Sequence, residues 1–248
     1  MVTIICGDKK FEEVEIFCFD KDGTLLTLNM YKPVMKKRAE LLLDKYGLKQ
    51  ENYNDLLSLM GLNPETEEID HKGPIHIERV EIIRRTREYL RTFSINSSIE
   101  EIAELFDEVD HLIDFTEYVE AFDGVSSLLN QLRDKGIKLM VSTHDSTEPA
   151  SKQLASAGLF DYFDLIYGLD IDSPYQAKPA PDMLQYGCKT LEVDISKSIV
   201  VGDDDRDLLM GRNAGALACI GVLSGKAEEK DFKHADVIVD SIANIKIK

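Results

Sequence analysis

With 248 residues, 44% of them hydrophobic and 30% charged, the chain has enough length and apolar content for a large domain or a core with an appended unit, and disorder is not the expected state. A net charge of −17 and a pI near 4.7 argue against nucleic-acid or anionic-membrane partners, because both require a positive footprint. The four cysteines (Cys6, Cys18, Cys188 and Cys219) form no CxxC pair, have no His at zinc-ligand spacing and suit a reducing cytoplasm, the expected location.

The stretch from Met1 to Gly7 has an apolar Ile4-Ile5 pair but neither the length nor the basic start of a signal segment. No apolar run approaches the ~18 residues of a membrane span, and Asn96-Ser97-Ser98 matches a glycosylation sequon by chance. Val14 to Phe19 predicts a strand that stops at Asp20. Residues 29–118 then show helical spacing, with helices expected at Val34–Tyr46, Asn54–Met60, Ile75–Phe93 and Ser98–Phe115 and no convincing strand.

After Phe122-Asp123-Gly124 helices alternate with short apolar strands. The strands fall at Ile137–Ser142, Leu165–Tyr167, Ser198–Val201, Leu217–Ile220 and Val237–Val239. The helices span Val125–Lys135, Glu148–Ala157, Asp182–Leu191 and Asp205–Ala214. This alternation predicts an α/β, Rossmann-like, doubly wound parallel sheet, formed by residues 1–28 and 119–248. Residues 29–118 are expected to be an all-helical cap domain inserted into that core.

In open α/β sheets, ligands bind beyond the carboxyl ends of the strands. The first strand is followed by Asp20 and Asp22, then Gly23 and Thr24; the second by Ser142, Thr143 and His144. Lys178-Pro179 lies in a later loop, and the strand ending at Val201 leads into Gly202-Asp203-Asp204-Asp205-Arg206-Asp207. Crowded carboxylates repel one another unless a cation lies between them. A partly hydrated Mg²⁺, a hard ion that prefers oxygen ligands, is the natural occupant. Asp20 and Asp203 can each supply a carboxylate oxygen to it, and Asp22 a backbone carbonyl. The rest of the set suits phosphoryl transfer, which needs an aligned nucleophile and charge neutralisation. Asp20 can attack phosphorus, while Asp22 can protonate the leaving alkoxide and then activate water. Thr143 and backbone N–H groups around Gly23 and Thr24 can hold phosphoryl oxygens, and Lys178 can offset their charge. The run from Asp203 to Asp207 also reads as the N-cap of the helix that follows.

Four motifs in this order, Phe19-Asp20-Lys21-Asp22-Gly23-Thr24-Leu25, Ser142-Thr143-His144, Ala177-Lys178-Pro179 and Val201-Gly202-Asp203-Asp204-Asp205-Arg206-Asp207, resemble those of the haloacid dehalogenase superfamily. The resemblance is to its helical-cap phosphatase branch, with the lysine motif similar to that of phosphoglycolate phosphatase-like members. It implies Asp20 as nucleophile, Asp22 as acid/base, Asp203 as metal ligand, and Asp207 and Asp204 as supporting acids. Two positions depart from the pattern. Ser142-Thr143-His144 replaces a motif that usually ends Thr-Asn or Ser-Asn, which leaves Thr143 and Ser142 both open as the phosphate hydroxyl and puts His144 in place of the Asn. Lys21 stands where an apolar residue is common and reads as an ordinary variant.

Dehalogenating members lack the second carboxylate, so Asp22 favours phosphate esters. The expected substrate is a small phosphorylated metabolite such as phosphoglycolate. In the cap, Lys72, His76 and Arg79 form a basic cluster able to bind a distal anionic group. A β-phosphoglucomutase-like mutase is the nearest rival, and a receiver-like or non-catalytic phosphate sensor is the rival from another class. Phosphonoacetaldehyde hydrolysis would need Lys72 as a Schiff-base lysine. A monomer or homodimer is expected.

Overall fold

The computed structural model describes residues 2–70, 79–170, 173–225 and 227–248, apart from the side chains of Arg79, Val80 and Phe115. The chain divides into two compact units: Met1–Thr27 with Val119–Lys248, and Leu28–Tyr118.

The first unit is built on a six-stranded sheet in which every neighbouring pair is parallel. Its strands are β3 (Ile16–Phe19), β4 (Lys138–Ser142), β5 (Leu165–Tyr167), β6 (Ser198–Gly202), β7 (Ala218–Val222) and β8 (Val237–Val239), arranged β5-β4-β3-β6-β7-β8. Strand β3 is central and all four of its residues are buried, as a strand covered on both faces must be. Its side chains alternate between two cores. Phe17 and Phe19 pack with Val125 and Leu129 of α5 (Val125–Asp134) and Leu154 of α6 (Thr147–Ser156). Ile16 and Cys18 pack with Met183 of α7 (Asp182–Thr190) and Leu208 of α8 (Asp205–Ala214). The α/β, doubly wound architecture expected from the sequence is what forms. Succession runs from β3 outward to β5 on one side and from β6 to β8 on the other, so the switch point lies at the carboxyl ends of β3 and β6.

A second, antiparallel sheet of order β2-β1-β9 was not anticipated. It joins β1 (Thr3–Cys6), β2 (Lys9–Glu12) and β9 (Ile245–Ile247). Ile4, Cys6 and Ile245 face the larger core, whereas β2 is largely exposed and gives almost no apolar signal. The chain leaves and re-enters the core unit at adjacent points. Thr27 N–H donates to Glu120 O at 2.8 Å and Phe122 N–H to Leu25 O at 3.0 Å.

The helical unit contains α1 (Tyr31–Tyr46), α2 (Tyr53–Met60), α3 (Arg79–Arg91) and α4 (Ile99–Leu112), with no strand among its described residues. It has its own core around Leu42, Leu56, Leu90, Ile102 and Phe106. Ser98 and Glu101 form the capping box that starts α4. The helix expected from Ile75 is described from Arg79; residues 75–78 lie outside the described residues. No helix among the described residues is long and apolar enough to cross a membrane.

Candidate active site

Asp20 immediately follows β3, and its N–H donates to Val201 O at 2.9 Å, fixing the first loop against β6. Lys178 lies beside it, almost fully buried. Its ammonium donates to Asp20 Oδ1 at 2.5 Å and Ser142 O at 3.1 Å and pairs with Asp207 Oδ1 at 2.6 Å. Three N–H donors thus meet three acceptors. Burial alone would push the ammonium down, but Asp20 and Asp207 outweigh it and hold Lys178 well above its ordinary range.

Asp203 follows β6 directly and is buried. Two glycines pack against its carboxylate. A Cβ on Gly23 would lie 2.6 Å from Asp203 Oδ2, and one on Gly225 only 2.0 Å from the same atom. Gly23 also has φ +82°, a conformation that disfavours other residues. The loop after β7 is fastened here by Ser224, whose hydroxyl donates to Gly23 O at 2.8 Å.

The acid run after β6 caps the helix that follows, as read from the sequence. Asp204 caps α8, accepting from Arg206 N–H at 3.0 Å, and Asp207 Oδ2 accepts back from Asp204 N–H at 3.2 Å. Asp20, Asp203 and Asp207 each bring a carboxylate oxygen into a group whose members lie within 4.8 Å of one another. This compact all-oxygen donor set fits a hard divalent cation. Asp207 already engages both oxygens, with Lys178 and with Asp204 N–H. Burial raises its carboxyl above the usual range, with Lys178 opposing and Asp20 reinforcing.

Asp22 is not part of that carboxylate group. Its side chain turns to Lys21, whose Nζ lies 2.6 Å from Asp22 Oδ1, 3.0 Å from Asp145 Oδ2 and 2.5 Å from Gln153 Oε1. Lys21 is fully buried, so reading it as an ordinary variant is corrected here. An ammonium taken out of water needs such partners. Burial raises the Asp22 carboxyl, Lys21 opposes the shift, and Asp145 and Asp20 add to it.

Thr143 is buried at the end of β4, its Oγ1 accepting Asp145 N–H at 3.2 Å. Ser142 Oγ instead meets Cys18 Sγ at 3.4 Å. Thr24 is completely buried, and its hydroxyl has no hydrogen-bond partner among the described residues. The Gly23 amide is engaged within the loop, donating to Leu26 O at 2.8 Å. His144 is exposed at the rim. Partial burial, aided by the Lys178 and Arg206 charges and opposed by Asp20, pushes its imidazole down to about 4. Of the cap candidates, Lys72 and His76 lie outside the described residues, and Arg79 opens α3 with its side chain not described.

The sequence reading missed Lys21, Asp145 and Gln153 as a cluster, and Ser224-Gly225 beside Asp203. One signal was available. Gln153 occupies the buried stripe of α6 with Ala150 and Leu154, where an amide needs a polar partner. Gly225 carries no such mark, since only the fold brings it to Asp203.

A doubly wound sheet with acids and a lysine gathered at its carboxyl edge defines an α/β enzyme core. The haloacid dehalogenase-like hydrolase family model matches residues 14–215, and the chain belongs to that family, in agreement with the resemblance read from its motifs. A "Probable phosphatase IndB" from Dickeya dadantii is 36% identical over 126 residues, covering 50% of this chain and 54% of the relative, so the chain spans about half of that protein. A phosphoglycolate phosphatase from Neisseria meningitidis is 29% identical over 242 residues, 94% of this chain and 93% of that one. Among solved structures, a "predicted phosphoglycolate phosphatase" from Haemophilus somnus superposes with a TM-score of 0.68 at 20% identity, over 94% of this chain and 97% of that one. The chain is therefore a hydrolase of the haloacid dehalogenase-like family.

Proposed function

We propose that the chain is a Mg²⁺-dependent phosphatase that hydrolyses a small phosphorylated metabolite, of the phosphoglycolate kind, through an aspartyl phosphate on Asp20. The observation that carries this reading is the Lys178 clamp: one buried ammonium joins Asp20 to Asp207 while Asp203 approaches within cation-binding range. Such a site can neutralise a phosphoryl group and hold a nucleophile in line with it. The near-full-length likeness to the Neisseria phosphatase supports the substrate class.

In this mechanism Asp20 would attack phosphorus as the ester P–O bond breaks, forming an acyl phosphate. Asp22 would give its proton to the departing alkoxide, then take one from a water that attacks the acyl phosphate, releasing inorganic phosphate and restoring Asp20. Thr143 is the better placed hydroxyl for a phosphoryl oxygen, because Ser142 is turned back toward Cys18. The amides of Asp22 and Thr24, which donate to no acceptor among the described residues, are further candidates. Asp20 and Asp203, with the Asp22 carbonyl, would hold the Mg²⁺, which supplies charge neutralisation at the phosphoryl oxygens. Asp207 and Asp204 would support them from behind. Selection among esters is assigned to the 29–118 unit, with Lys72, His76 and Arg79 as candidates, and to His144. The four cysteines are all free and buried, which accords with a reducing cytoplasm.

The test is a panel of phosphorylated metabolites assayed with Mg²⁺, wild type against Asp20→Asn. Metal-requiring phosphate release should fall at least ~10³-fold in the variant. Unchanged release in Asp20→Asn, or no release from any ester, overturns the reading. Isomerisation of a sugar phosphate with slow phosphate release would move the chain to the mutases.

A further inference from the structure

Lys21 stands between the two acids of the first loop, and its side chain is entirely buried. An apolar side chain of similar length would fill the same space without removing a charge from water, and replacing buried ion pairs by packed apolar groups is often neutral or stabilising. Stability therefore gives no reason for a buried ion cluster here in place of an apolar one, although deleting the ammonium alone would strand Asp22 and Asp145. What the ammonium does supply is geometry. Its three N–H donors reach Asp22 Oδ1, Asp145 Oδ2 and Gln153 Oε1, three acceptors from three separate segments.

Two details make the arrangement specific. Asp22 has only one oxygen engaged: Oδ1 is taken by Lys21, and Oδ2 accepts no hydrogen bond among the described residues. The second detail concerns Asp145, whose backbone N–H donates to Thr143 Oγ1 at 3.2 Å. A continuous chain of contacts therefore runs from Asp22 through Lys21 and Asp145 to the hydroxyl that follows β4. The far end of the cluster, Gln153, is held on the buried face of α6. Rigid support of this kind fixes both which carboxylate oxygen is available and where it lies relative to Thr143.

We propose that Lys21, with Asp145 and Gln153, is a positioning residue that orients the Asp22 carboxyl for proton transfer to the leaving oxygen. The proposal rests on the phosphatase reading above. It separates from a purely structural role by leaving-group chemistry. An alkyl phosphate needs a proton on its leaving oxygen, whereas p-nitrophenolate departs without one. kcat/KM reports the step in which that oxygen leaves. A misplaced acid should slow only the alkyl ester, and a generally disturbed loop should slow both.

The experiment measures kcat/KM of the Mg²⁺-loaded enzyme on an alkyl phosphate substrate and on p-nitrophenyl phosphate, for wild type, Lys21→Met, Gln153→Met and Asp22→Asn. Lys21→Met should lose ~10²-fold or more on the alkyl ester and less than ~3-fold on the aryl ester. Gln153→Met, which keeps the ammonium, should shift the same ratio in the same direction by ~3- to 10-fold. If Lys21→Met does not fold, the ratio in Gln153→Met decides, and an unchanged ratio there overturns the proposal. Equal losses on both esters in Lys21→Met, with selectivity retained in Asp22→Asn, overturn the role of Lys21 and leave the function standing. Absence of selectivity in Asp22→Asn removes the acid role of Asp22, and the inference falls with it.

Discussion

Two lysines are buried at the carboxyl edge of the sheet, and each meets three acceptors, yet they differ in what surrounds them. Lys178 is paired with carboxylates that are themselves hidden, Asp20 at 12% and Asp207 at 4% side-chain exposure. Lys21 is as deep, but its partners reach toward water, Asp22 at 24% and Asp145 at 35%. The lesson lies in the partners: removing a buried cation is tolerated only as far as the anions left behind can be hydrated.

Lys178→Met should therefore have the larger effect on both stability and activity. It leaves Asp20 and Asp207 facing each other, with Asp203 close by and the buried cation that joined them gone. Urea unfolding without metal should show a loss of ~3–5 kcal/mol, the cost typical of breaking a buried pair from one side. Phosphatase activity should fall at least ~10³-fold. Lys21→Met, measured by the same urea experiment, should lose only ~1–3 kcal/mol, since Asp22 and Asp145 can be rehydrated. Equal losses in the two variants would dissolve the comparison.

The two lysines also differ in how readily the sequence disclosed them. Lys178 was found because it precedes a proline in a loop between strand signals and completes an ordered set with Asp20, Thr143 and Asp203. Lys21 is adjacent to Asp20 and was still passed over, because a lysine flanked by acids in a polar loop looks solvated. Its burial depends on α6 coming to lie beside the loop, a tertiary fact with only Gln153 as a local trace. The same division holds for the fold. The parallel strands were legible because burial on both faces demands runs such as Ile16-Phe17-Cys18-Phe19. The antiparallel trio was not, since Lys9–Glu12 is exposed and polar and Ile245–Ile247, which pairs with Thr3–Cys6, lies at the other end of the chain.

A smaller effect is expected where the proposed metal site leans on backbone instead of on charge. Gly225 packs so closely on Asp203 that any side chain must displace the carboxylate. Gly225→Ala should leave both lysine clusters intact while raising the Mg²⁺ concentration needed for half-maximal thermal stabilisation ~10-fold, in the range found when a ligand's support is removed. Melting temperature titrated with Mg²⁺ checks this without recourse to turnover. An unchanged midpoint would show that Asp203 does not depend on this contact.

The smallest effect concerns His144, which shares the neighbourhood of Lys178 but is exposed. Its imidazole is pushed down to about 4 from 6.5, so between those values the unfolded chain takes up a proton that the folded chain refuses. Stability must then decline as the pH falls through that window and be unaffected by His144 above it. Asp22 and Asp207 act in the opposite sense, because carboxyls raised by burial favour the fold as they protonate. Both of those acids remain in a His144→Asn variant, so their contribution cancels when variant and wild type are compared. Urea midpoints should agree at pH 7.5 and separate progressively below pH 6.5, with the variant the more stable at pH 4.5. Parallel curves throughout would mean that neither partial burial nor the Lys178 and Arg206 charges disfavour the protonated ring in the fold.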